Sequence, residues 1–93
     1  MARNTDIAVA PGSWTQVTDA DVTAITLQVR GAPVLVKATV GAVAPTTDAG
    51  AFILTDGEGL SGNLADYWRG VVGANRVYAK AQNFASAVSV SHA

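Results

Sequence analysis

Ninety-three residues with 49% hydrophobic and 14% charged side chains hold one domain, 1–93, with far fewer charges than the roughly 25% of an average soluble domain. A net charge of -1, with no basic block, argues against a phosphate-backbone binder, so nucleic acid is not an expected partner. The absence of cysteine excludes disulfides, thiolate metal sites and cysteine nucleophiles, and no apolar run reaches the 18 or so residues of a membrane helix.

In chain order, the first segment, Met-Ala-Arg-Asn-Thr-Asp, lacks the apolar stretch of a signal peptide. Short strands are expected at 6–9 and 14–17, separated by Pro11-Gly12 turn chemistry. Segment 22–30 alternates Ile25, Leu27 and Val29 with Thr26, Gln28 and Arg30, the period of a half-buried strand. Gly31-Ala32-Pro33 breaks it. Segment 34–40 then alternates Val34, Val36, Ala38 and Val40 with Leu35, Lys37 and Thr39, which predicts a hairpin with the preceding strand.

Residues 41–50 carry neither the glycine spacing of a phosphate loop nor that of a dinucleotide fingerprint and read as a crossover between strands. A strand at 51–54 precedes the Gly-rich segment 57–73, where Leu60, Leu64, Tyr67 and Trp68 suggest a long loop carrying one helical turn. Segment 75–82 alternates Val77, Ala79 and Ala81 with Arg76, Tyr78 and Lys80, and 86–92 alternates Val88 and Val90 with Ser89 and Ser91. These last two strands are expected to be adjacent.

The chain is therefore expected to be all-β: a small antiparallel β-sandwich or barrel of about seven short strands with one long Gly-rich loop. Its inward faces are rich in Ala and Val, so bulk is expected from Trp14, Phe52, Trp68 and Phe84. Flat strands poor in charge leave edges that invite pairing, and coverage by a neighbouring subunit is the simplest remedy.

Candidate chemistry is sparse. Asp19 with Asp21, and Asp56 with Glu58, lack the ligand spacing of a calcium loop and read as solvated turns. His92 has no second imidazole to share a metal with and reads as a surface or interface residue. Ser86, Ser89 and Ser91 lie at strand positions without a nucleophile elbow. No catalytic residue, metal ligand or cofactor is expected. Trp14, Tyr67, Trp68, Arg69, Arg76 and Tyr78 are the candidate interface residues, since aromatics and Arg are enriched at interfaces. The four aromatics are also a candidate stacking platform for sugar.

The order Trp14-Thr-Gln-Val, Leu27-Gln-Val, Val34-Leu-Val, Gly41 through Ala44-Pro45-Thr46, Gly50-Ala-Phe-Ile-Leu54 and Val88-Ser-Val-Ser resembles small β-rich virion proteins of tailed bacteriophages. The likeness spans most of residues 14–90. It implies a capsid decoration (cement) protein, trimeric, made in the host bacterial cytoplasm and seated on the virion where major capsid subunits meet. The longer, more aromatic segment 59–73 departs from that pattern and leaves open a fibre, spike or tail role, as a carbohydrate-binding or host-attachment module.

Overall fold

The computed structural model describes residues 2–93. The strands are β1 (Arg3–Val9), β2 (Thr15–Gln16), β3 (Ala24–Val29), β4 (Val34–Thr39), β5 (Phe52–Leu54), β6 (Gly59–Asn63), β7 (Arg76–Ala81) and β8 (Ser86–His92), with one helical turn, α1 (Leu64–Tyr67), after β6. They form two four-stranded antiparallel sheets, ordered β1-β8-β3-β6 and β2-β7-β4-β5.

The pairing has a simple logic. Fold the chain at loop 40–51, and β4 meets β5, β3 meets β6, β2 meets β7 and β1 meets β8, all antiparallel. Rolling that double ribbon adds the β3–β8 and β4–β7 ladders, and every connection except β4–β5 changes sheet. This strand order is that of a jelly roll, an all-β sandwich built from two Greek keys.

Two expected neighbour pairs are therefore corrected. β3 and β4 are not a hairpin: Gly31 and Pro33 lie in a connection that carries the chain from one sheet to the other. β7 and β8 are likewise in different sheets. Segment 41–50, expected as a crossover, instead links strands paired side by side. An alternating pattern says which residues face the core, but it carries no information on which strand lies alongside.

Period-2 patterning did place the core. Ile25, Leu27 and Val29 of β3, Val34, Val36 and Ala38 of β4, Val77, Ala79 and Ala81 of β7, and Val88 and Val90 of β8 are buried in one cluster. Small side chains let the sheets approach, and Trp68, Leu64 and Leu60 close the β5–β6 side. Of the four aromatics expected to fill the interior, only Trp68 is buried; Phe52 and Phe84 are 39% and 73% exposed, and Trp14 is half-buried under Lys80, whose Nζ lies 5.2 Å from the ring centre.

The Gly-rich segment is more ordered than its composition suggested. Gly59-Leu-Ser-Gly-Asn63 forms β6 against β3, the eighth strand beyond the expected seven, and the helical turn follows at once. Gly59 is required there, because a Cβ would stand 2.0 Å from the Leu27 carbonyl oxygen. A strand brought this close to its neighbour's backbone excludes any side chain at that point.

Candidate functional site

The outer face of the β2-β7-β4-β5 sheet is largely covered by the chain itself. Loop 41–50 folds across it: Lys37 Nζ donates to the Thr47 carbonyl at 3.2 Å, and Lys80 pairs with Asp48. Beneath that strap Tyr78 is 5% exposed, and its hydroxyl donates to Gln16 Oε1 at 3.0 Å.

The opposite sheet turns a polar face to solvent, with Thr26, Ser61, Ser89 and Ser91 in cross-strand rows and Asp6 beside Ser89. Thr26 and Ser61 share a hydrogen bond at 3.0 Å, and Ser89 donates to Asp6 Oδ1 at 2.5 Å. Along one end of this face runs an open groove of about 680 Å³ lined by Asp21, Thr23, Thr26, Ser61, Ser91 and His92 among others. Ser89 and Ser91 are a polar strand face, as their alternation suggested, whereas Ser86 lies on the Val88–Val90 side of β8 and donates to the Ala32 carbonyl.

His92 is buried rather than superficial, at 8% exposure. Its Nε2 accepts the Asp19 backbone N–H at 3.0 Å. An amide always donates, so Nε2 carries the lone pair and Nδ1 carries the proton, which points to the Ala93 carbonyl 3.0 Å away. Arg3 completes the corner, donating to the Val17 carbonyl at 3.0 Å and pairing with Asp19 at 3.3 Å. The imidazole is thus a structural tie between the C-terminal strand and the β2–β3 connection. Among the described residues no group of three or more His, Asp or Glu side chains converges to hold a metal ion.

The six candidate interface residues fall into two places. Trp14, Arg76 and Tyr78 lie at the β2–β7 edge, where Arg76 Nε is held by Asp21 at 2.7 Å and Tyr78 is buried. Tyr67, Trp68 and Arg69 lie at α1, on the opposite side of the sandwich. Trp68 and Tyr78 belong to the interior of the single chain, so no shared stacking platform forms from the four aromatics.

Several large apolar residues that the sequence reading sent to the core or passed over are exposed, with Phe52 and Ile53 on opposite faces of β5. Phe52 packs on Trp68 with ring centres 5.4 Å apart, while Ile53, Val40 and Val72 are 54%, 55% and 89% exposed. Val40 and the loop of Val72 are neighbours, since a Cβ on Gly73 would touch Val40 Cγ2 at 4.0 Å. Trp68, on which Phe52 packs, holds a buried donor without an acceptor, its Nε1. An unsatisfied buried donor costs about 1–3 kcal/mol. The signal in the sequence was the density of large apolar residues on the short β5 edge strand, which cannot all face inward.

Comparison with protein-family models, with curated proteins and with solved structures finds no match to this chain.

Proposed function

We propose that this protein is a non-enzymatic structural protein of a tailed-phage virion, a capsid decoration protein that docks on the shell through a patch built from the exposed apolar residues Phe52, Val40 and Val72. The observation that carries this reading is the patch itself. A chain with 14% charged residues ties its lysines, Arg3 and Arg76 into internal bonds, yet leaves large apolar side chains in water, one of them, Phe52, packed on Trp68 with its unsatisfied indole donor. Exposed apolar patches of this kind mark protein contact surfaces. The jelly roll is an architecture used by capsid and lectin domains, which fits the resemblance of the sequence to virion proteins without specifying a role. Nucleophilic chemistry has no support in the geometry, since the one imidazole is spent on a backbone amide and the hydroxyls of Ser89, Ser61 and Ser86 bond to Asp6, Thr26 and the Ala32 carbonyl.

Particles of the encoding virus with and without the protein should differ under heat. Decorated shells are expected to retain their DNA to a higher temperature; equal rupture temperatures would remove the stabilising role.

A second reading, host attachment through a glycan, draws on the groove lined by Thr23, Thr26, Ser61 and Ser91, whose neutral hydroxyls suit a hydroxyl-rich ligand. Glycan-array binding lost in Thr26→Val would favour it over docking on the shell.

A further inference from the structure

Each strand at a sheet edge presents backbone donors and acceptors that some other group must meet. Three of the four edges are closed or short. On β6 the Tyr67 hydroxyl takes the outward N–H and C=O of Ser61. β2 is two residues long and follows Pro11, and β5 is three residues long, with the flanking amides of Ala51 and Thr55 bonded to Asp48 and Glu58.

β1 is different. Arg30 N–H bonds the Ala87 carbonyl, so the odd-numbered residues of β8 face β3 and the even-numbered ones face β1, because both backbone groups of a residue in an antiparallel strand point the same way. Given the register Arg3↔His92, Thr5↔Val90, Ile7↔Val88 and Val9↔Ser86, the N–H and C=O of Asn4, Asp6 and Ala8 point away from the sheet, and among the described residues none of these groups has a partner. No lysine, proline or bulge guards the strand, and its one arginine is turned inward to Val17 and Asp19. Thr5 lies on the inward face with Ile7 and Val9 yet is exposed, and Ile7 is only half-buried.

We infer that β1 is the self-association edge of this protein: it pairs antiparallel with β1 of a second copy across a two-fold axis, joining the two β1-β8-β3-β6 sheets into one. The register follows from the side chains. Centring the axis on Asp6 would set two carboxylates opposite each other, and centring it on Ile7 would need Ala10 and Pro11, which have already left for the other sheet, where Pro11 bridges Ala81. Centring on Thr5 places each Asn4 amide against the partner's Asp6 carboxylate, sets Thr5 against its own copy, and covers the two inward positions left in water. Such an interface is two-fold, unlike the trimer that the phage resemblance implies, and it stands whether or not the shell-docking reading does.

A chain without cysteine allows a direct test. In the Thr5-centred register residue 5 is a non-hydrogen-bonded pair, with Cβ atoms about 4.5–5.5 Å apart, near enough for a disulfide after small adjustment. Thr5→Cys should oxidise almost wholly to a covalent dimer, much faster than the exposed control Ser13→Cys. Asn4→Pro and Ala8→Pro remove only outward-pointing N–H groups, so both should keep the wild-type circular dichroism spectrum and scatter light as monomers, where wild type scatters as a dimer. A wild-type monomer or trimer in solution, or Thr5→Cys crosslinking no faster than Ser13→Cys, would overturn the inference.

Discussion

The Tyr67 hydroxyl bridges both backbone groups of Ser61, accepting its N–H at 3.2 Å and donating to its carbonyl at 3.1 Å. One side chain from the helical turn thereby does for the β6 edge what another strand would do. The pairing also fixes α1 against β6, so that Trp68, 6.0 Å from the Tyr67 ring, plugs the gap between the sheets.

Tyr67→Phe keeps the ring and removes the bridge. A loss of about 0.5–1.5 kcal/mol is expected for such bonds in a partly exposed setting, measurable by urea unfolding. The freed edge should also raise self-association, seen as a concentration-dependent rise in scattering. An unchanged urea midpoint together with unchanged scattering would show that the bridge is idle.

Gly59→Ala meets a backbone oxygen rather than a flexible side chain. The β6 strand must move, and a destabilisation of at least about 1–3 kcal/mol is expected from overpacking of this kind. Gly12→Ala, with open space around it but a φ of +85°, should cost less, about 1 kcal/mol of backbone strain. Thermal melts of the two variants rank them, and a melt of Gly59→Ala equal to wild type would refute the close approach.

The Arg3–Asp19–His92 corner separates two kinds of contact. The Arg3–Asp19 ion pair is partly exposed at 23% and 35%, so Asp19→Ala should change stability by no more than about 1 kcal/mol. His92→Ala strands the Asp19 amide, and a loss of about 1–3 kcal/mol is expected. Equal effects, read by urea unfolding, would mean that the imidazole holds nothing.

Glu58 supplies a pH test. The Thr55 backbone N–H and then its hydroxyl, both 2.7 Å from Oε1, hold this carboxyl below its ordinary value of 4.5. A depressed folded-state value means the contribution is present above the unfolded value and disappears as pH falls through the folded one. The difference in urea midpoint between wild type and Glu58→Gln should therefore be seen at neutral pH and shrink as the solution is acidified below 4.5. A difference that persists unchanged in acid would contradict this role.

The β3, β4, β7 and β8 faces were legible because Val, Ile, Leu and Ala recur every second residue there. Strand neighbours were not, since Gly31-Ala32-Pro33 serves a change of sheet as readily as a turn within one, and only the long-range β1–β8 and β3–β8 registers decide between them. β6 was hidden because Gly59, Gly62 and Asn63 are poor strand formers; pairing with β3 overrides that local preference. The apolar patch was misread for the opposite reason. Phe52 and Phe84 look like core residues by type, but a three-residue edge strand and an exposed turn cannot bury them, while Tyr78, on the outward side of its strand, is hidden by loop 41–50 and Gln16.

The most direct test of the proposed shell-docking role is co-sedimentation with undecorated tailed-phage shells. Wild type is expected to bind to saturation, Phe52→Asp and Val72→Asp to remain in the supernatant, with Val72→Asp, at an 89% exposed position, keeping the wild-type melting temperature, and Thr26→Val on the opposite face to bind as wild type does. Absence of wild-type binding, or full binding by Phe52→Asp and Val72→Asp, would contradict a shell-docking role for this patch.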